Sequence, residues 1–202
     1  MVAHAKPPYF TPDEYLERER NAPHKSEYHN GQIVAMAGAQ PEHNALAFDL
    51  TTILGTQLRG GECQGFGSDQ LLRVDAANRY YYPDLTIVCG PPEYEEHLGL
   101  RALKNPSLII EVLSPATERA DRVEKFDCYR TIPALTTYVL VAQDQPRIEC
   151  LTRQPDASWR VDIAVGRHEV IRLDSIGCTL SLAEVYARLE FEEDHIESAD
   201  KP

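Results

Sequence analysis

The sequence predicts an α/β fold: a mixed central sheet flanked by helices, with an N-terminal helix and hairpin before it and a C-terminal strand meander after it. Three observations carry that prediction. Segments of helical period at 11–20, 41–58 and 118–130 are interleaved with short apolar, β-branched runs near 70–74, 81–88, 108–113 and 136–142. Asn30-Gly31 joins two short segments as a hairpin turn, because both positions of a two-residue turn must tolerate positive φ. After Gln145 only strand-like patterns follow, at 147–153, 159–165 and 170–173.

The elements can be justified in order. Thr11-Pro12-Asp13-Glu14 is a capping box with proline at the first helical position, and its helix runs to about Arg20. Residues 27–34 form the hairpin. In the helix over 41–58, His43, Ala47, Leu50 and Leu54 share one side, with Leu46 and Ile53 flanking it, and Gly60-Gly61 stops it. Residues 90–106 hold Pro91, Pro92 and Pro106 among polar residues and are expected to form a loop. Thr117 is the expected cap of the helix over 118–130. The run 136–142 is β-branched and apolar, as suits a buried strand. Ser181-Leu182-Ala183-Glu184 spells a second capping box and a short last helix.

A length of 202 residues with 43% hydrophobic residues is enough for one well-filled core. The expected organisation is one domain over 1–189 and an acidic, flexible tail over 190–202. That tail holds six acids and one base, and so supplies −5 of the net charge of −12. Such a charge argues against a broad basic face for nucleic acid, so any such contact must be local and metal-assisted. Cys63, Cys89, Cys128, Cys150 and Cys178 form no CxxC pair. Their odd number and wide scatter predict reduced thiols in a cytoplasmic protein, not a zinc site. The first residues carry no apolar leader, and no apolar run approaches the ~20 residues of a membrane span, so no membrane partner is expected.

The chemistry concentrates between Tyr82 and Lys125. Asp84 stands at the mouth of one apolar run, and Glu111 lies inside another. An ionised carboxylate in an apolar strand is costly without a partner. Alternation puts Ile109, Glu111 and Leu113 on one face, and neighbouring strands would let Asp84 and Glu111 converge. Two such acids with a nearby ammonium can hold a divalent ion and activate water, which points to phosphodiester hydrolysis. Asp121 and Lys125 lie four apart on a helix, where the plain alternative is a surface ion pair of ~0.3–0.5 kcal/mol. Glu27 reads as an exposed hairpin residue or a third acid for metal or water. His43 reads as a core-edge imidazole bonded to backbone or a contact to phosphate. Tyr80, Tyr81 and Tyr82 suit cross-strand packing better than base stacking. The other histidines are scattered and are given no metal role. Ser114 and the cysteines have no adjacent base, so nucleophilic catalysis has little support.

Pro83-Asp84, Glu111-Val112-Leu113-Ser114-Pro115, then Asp121 with Lys125 and Tyr129, together with Glu27-Tyr28-His29-Asn30-Gly31 and His43 at a helix start, resemble the Uma-two family of predicted endonucleases. That family belongs to the PD-(D/E)XK, or restriction-endonuclease-like, superfamily. The resemblance covers about Thr11 to Leu182. It implies a restriction-endonuclease-like fold and metal-dependent cleavage of DNA. Asp84, Glu111 and the Val112 carbonyl would coordinate Mg²⁺, with Mn²⁺ as an alternative ion. The superfamily's lysine normally lies two residues after the acid, where this chain has Leu113. The resemblance implies that Lys125 takes that role from the following helix, with Asp121 holding its ammonium. A homodimer is left open. The runner-up is a non-catalytic nucleic-acid-binding or protein-interaction module on the same scaffold.

Overall fold

In the computed structural model, which describes residues 8–191, Thr11 Oγ1 accepts from the Glu14 N–H (3.2 Å) and Glu14 Oε2 accepts from the Thr11 N–H (2.7 Å). The capping box thus opens helix α1 (Pro12–Glu19) as the motif requires. The acidic tail beyond Phe191, and seven of the residues on which the expectation about a leader rested, lie outside the described residues.

Strands β1 (Ser26–His29) and β2 (Gln32–Ala35) form the predicted hairpin, with Asn30 at φ 45° and Gly31 at φ 102°. A Cβ on Gly31 would also run into the Tyr9 ring. Gly31→Ala should therefore destabilise the chain by about 1–2 kcal/mol, readable as a lower melting temperature.

Helix α2 (Pro41–Gln57) buries Leu46, Leu50 and Leu54 against the largest core cluster. A strand the sequence analysis did not anticipate follows, β3 (Cys63–Gly67), in which Gly65 and Gly67 blur the alternation. Next come β4 (Leu72–Val74), β5 (Arg79–Tyr81) and β6 (Leu85–Cys89). The single strand expected over 81–88 is thus two strands in two different sheets. Tyr82-Pro83-Asp84 is the crossing, since Pro83 has no N–H for a ladder. That break leaves Asp84 at the entrance of β6.

The expected loop over 90–106 contains a further hairpin, β7 (Tyr94–His97) and β8 (Leu100–Leu103). Leu98 (φ 49°) and Gly99 (φ 88°) make its turn, a type of turn that leucine rarely enters and its residue type does not announce. Strand β9 (Leu108–Leu113) is buried throughout and runs antiparallel to β6 and parallel to β10 (Thr137–Ala142). Between β9 and β10 lies the helical segment. It opens at Glu118, directly after Thr117 as expected: the Thr117 main-chain carbonyl accepts from the Asp121 N–H at 2.9 Å, while the Thr117 hydroxyl pairs with Ser114 Oγ at 2.9 Å across the turn over 115–117. A π-helical stretch, Ala120–Lys125, then leads into α3 (Phe126–Tyr129).

The chain continues through β11 (Arg147–Arg153), β12 (Trp159–Val165), β13 (Val170–Leu173), β14 (Cys178–Ser181) and α4 (Leu182–Val185). The second capping box does not form. Ser181 already pairs with Val170 in the β13–β14 hairpin, and its side chain makes no cap bond.

The strands divide between two mixed six-stranded sheets instead of one central sheet. Their orders are β2-β1-β5-β4-β8-β7 and β12-β11-β10-β9-β6-β3, with β13-β14 as a separate pair. The meander is therefore split: β11 and β12 extend the second sheet, and β13 leaves it. Leu108, Ile110 and Val112 face the core that contains α2, while Ile109 and Leu113 face the one that contains Tyr129 and Tyr138. This is the alternation read from the sequence. Tyr80, Tyr81 and Tyr82 are all buried, which excludes them as base-stacking platforms in this fold. The expectation of five reduced thiols fails for two of them. Cys63 and Cys89 stand opposite each other on β3 and β6 and are joined as a disulfide, while Cys128, Cys150 and Cys178 are buried free thiols. Spacing alone could not show that these two would meet across a ladder.

Candidate active site

Asp84, Glu111 and Lys125 meet where the first sheet hands the chain to the second. Asp84 Oδ2 accepts from the Val112 N–H at 2.7 Å, which ties this acid to β9 one residue from Glu111. In an extended strand the N–H and C=O of one residue point to the same edge, so the Val112 carbonyl also faces the Asp84 side. Glu111 is almost wholly buried, and its Oε1 accepts from Lys125 Nζ at 3.1 Å and from the Tyr129 hydroxyl at 2.9 Å.

The helix delivers Lys125 deep into the cluster. Its ammonium lies 2.9 Å from Asp121 Oδ1, 3.1 Å from Glu111 Oε1 and 3.7 Å from Glu27 Oε1. Asp121 is buried and the Lys125 side chain is only 13% exposed, so the surface-pair alternative does not hold. Asp121 Oδ1 is close in charge but makes no hydrogen bond, while the Tyr138 hydroxyl donates to the Asp121 main-chain carbonyl. Glu27 is likewise buried, not exposed, because its strand β1 lies beside β5 and turns that face inward. His43, at the start of α2, sets Nε2 3.0 Å from Asp84 Oδ1 and does not bond backbone as the plain reading had it.

Two further residues join the site. Tyr129 lies four residues after Lys125, on the same helical face, and His29 lies two after Glu27 on the same strand face, with Nε2 3.0 Å from Glu27 Oε2. Both spacings were readable, but neither residue type signals chemistry by itself.

Four carboxylates, from Glu27, Asp84, Glu111 and Asp121, thus surround one ammonium and two imidazoles, those of His43 and His29. The electrostatics follow from that excess of acid. Burial pushes the Glu111 carboxyl up to about 8, and the neighbouring acids push the same way against Lys125. Burial alone would lower the Lys125 ammonium, but Glu111, Glu27 and Asp121 outweigh it and hold it well above its ordinary value. The hydrogen bond to Asp84 raises the His43 imidazole. Burial, then Glu111, raises the Tyr129 hydroxyl well above the usual phenol range.

Among the described residues, no three His, Cys, Asp or Glu side chains are gathered as a ready metal cage. The donor set fits a different kind of ion site. Two carboxylates and a main-chain carbonyl are hard oxygen donors, and Mg²⁺ characteristically takes one or two carboxylates and keeps several waters. A buried cluster with more acids than bases also favours an added cation.

Known proteins bear on the same region. Residues 12–183 match the model of the Uma2 family, described as "Putative restriction endonuclease". Two relatives come from Synechocystis sp. (strain ATCC 27184 / PCC 6803 / Kazusa). "Uncharacterized protein sll1609" is 35% identical over 171 residues, covering 85% of this chain and 96% of the relative. "Uncharacterized protein slr1290" is 31% identical over 194 residues, covering 95% and 100%. A crystal structure of a "putative nuclease belonging to DUF820" from Anabaena variabilis ATCC 29413 superposes with a TM-score of 0.69 at 17% identity, over 88% of this chain and 98% of that one. At that identity the likeness concerns the fold, a mixed α/β arrangement. The family match spans every carboxylate of the cluster, Lys125 and both sheets, and this chain belongs to the Uma2 family of putative restriction endonucleases.

Proposed function

We propose that the chain is a metal-dependent endodeoxyribonuclease of restriction-endonuclease-like fold, hydrolysing DNA phosphodiester bonds with Mg²⁺ or, alternatively, Mn²⁺. One observation carries the reading: Asp84 and Glu111 converge from paired strands beside a buried lysine, inside a cluster with more acids than bases. Asp84, Glu111 and the Val112 carbonyl would hold the ion. When bound, such an ion polarises the scissile phosphate and lowers the pKa of a water.

The chain's own residues do the rest. The Val112 N–H and His43 hold the two Asp84 oxygens in a fixed orientation. Tyr129 and Lys125 both donate to Glu111 Oε1 and fix that side chain through this one oxygen. Lys125 places a permanent positive charge beside the reacting centre, where it orients the water or offsets charge growing on the phosphate. Asp121 and Glu27 keep that ammonium in place. DNA is the expected partner, held locally, because the chain's net charge of −12 offers no general attraction.

Calorimetry and cleavage assays test this together. Wild type should bind Mn²⁺ and cut DNA with Mg²⁺, and Asp84→Asn or Glu111→Gln should weaken ion binding by about tenfold or more. Equal Mn²⁺ binding in all three proteins would remove these carboxylates from the ion site. A wild type that cuts no DNA with any divalent metal would favour the non-catalytic binding module, the reading that its acidic charge supports.

A further inference from the structure

Strand β12 forms one edge of the second sheet, and among the described residues no strand pairs with its outer side. Natural proteins commonly guard such an edge with charged side chains, proline or a bulge. The segment Trp-Arg-Val-Asp-Ile-Ala-Val contains no proline, its two charged side chains are of opposite sign and pair with each other, and its pairing with β11 is continuous from Arg147–Val165 to Arg153–Trp159. One face of the strand is an unbroken apolar row. Val161, Ile163 and Val165 are 49%, 52% and 55% exposed, and Trp159 continues the row under Phe126. Isolated apolar residues on a surface mean little, but a contiguous row on an open edge marks a contact. The opposite edge of the same sheet, β3, is a weaker candidate because two of its five residues are glycine.

We infer that β12 pairs antiparallel with β12 of a second copy of this chain, so that the two sheets join across a two-fold axis. Charge selects both the partner and the register. A two-fold axis normal to the sheet keeps each residue on its own face, so only residues of the same face can oppose each other. With the axis at Val161, Arg160 of each copy stands opposite Asp162 of the other, and Trp159 stands opposite Ile163. With the axis at Asp162, two aspartates would oppose each other, which is unfavourable. The Val161 register therefore supplies two opposite-charge pairs on one face and apolar cross-strand contacts on the other. Within one chain Arg160 and Asp162 are already paired, 2.9 Å apart on the exposed side, and are thus placed to exchange partners. The inference is independent of the nuclease reading.

Sedimentation of the full chain over a dilution series tests it, with a thermal melt as the control for folding. Wild type should be a dimer that dissociates on dilution. Val161→Lys, which opposes two ammoniums at the axis, should be a monomer with an unchanged melt, whereas Val123→Lys, an exposed apolar position on the helix, should dimerise as wild type does. Arg160→Asp should weaken dimerisation by about tenfold, and Arg160→Asp with Asp162→Arg should restore it. A wild type that stays monomeric at every concentration overturns the proposal, as does a dimer that survives Val161→Lys. A dimer lost with Val161→Lys but indifferent to both charge variants also overturns it, in favour of face-to-face packing of the apolar rows.

Discussion

Lys125→Ala should lower stability by about 3–5 kcal/mol, because it strips the only ammonium from a buried group of carboxylates. Glu111, Asp121 and Glu27 all lie within 3.7 Å of that nitrogen. Loss of cleavage in the single variant would therefore say little about catalysis. A compensated variant separates the two roles. Lys125→Met with Asp121→Asn removes one buried negative charge along with the positive one, and should recover about 1–3 kcal/mol relative to Lys125→Met alone. If Lys125 stabilises charge in the transition state, the folded double variant should still cut DNA about a hundred- to thousand-fold more slowly than wild type. A double variant that melts near wild type and cuts at the wild-type rate would make Lys125 a structural counter-ion and no more.

The second large effect concerns Glu111. Its carboxyl titrates near 8 in the folded chain against an ordinary 4.5, chiefly because burial disfavours the charged form. As pH rises, the unfolded chain gives up this proton first. The contribution is therefore fully present below the unfolded value and is lost as pH rises through the folded one. Across that window the metal-free protein should lose roughly 3–5 kcal/mol of stability through this group. Glutamine keeps the shape of the neutral acid and cannot ionise. In the presence of a chelator, Glu111→Gln should match wild type near pH 4.5 and melt well above it near pH 8, while losing ion binding. Melting curves of the two proteins that fall in parallel with pH would show that Glu111 is ionised in both states. A gain in stability on removing a functional group is expected where a site holds more charge than its fold would otherwise tolerate.

What the sequence determined by itself was local. Thr11 to Glu14, Asn30-Gly31 and the alternation through Glu111 each depend on neighbours within about four residues, and each formed as read. The candidate site was legible in the same way: an acid in an apolar run, an acid after proline, and a lysine one helical turn after an aspartate. Where local signals failed, a distant partner had overruled them. Ser181 lost its cap because it was already committed to a ladder with Val170. Glu27 could be read as exposed or as a third acid because its own hairpin sets only His29 beside it; β5 and Lys125 complete its surroundings. The Cys63–Cys89 bond, the crossing at Pro83 and the second sheet depend on which strands become neighbours. That choice is made by the summed burial of whole faces, to which any single residue adds little. Only the tertiary structure decided that Lys125, alone among the lysines of the described residues, is surrounded by three acids. The reason is geometric: two sheets and a helix converge there, and burial turns charges that would be weak pairs in water into a tightly coupled cluster.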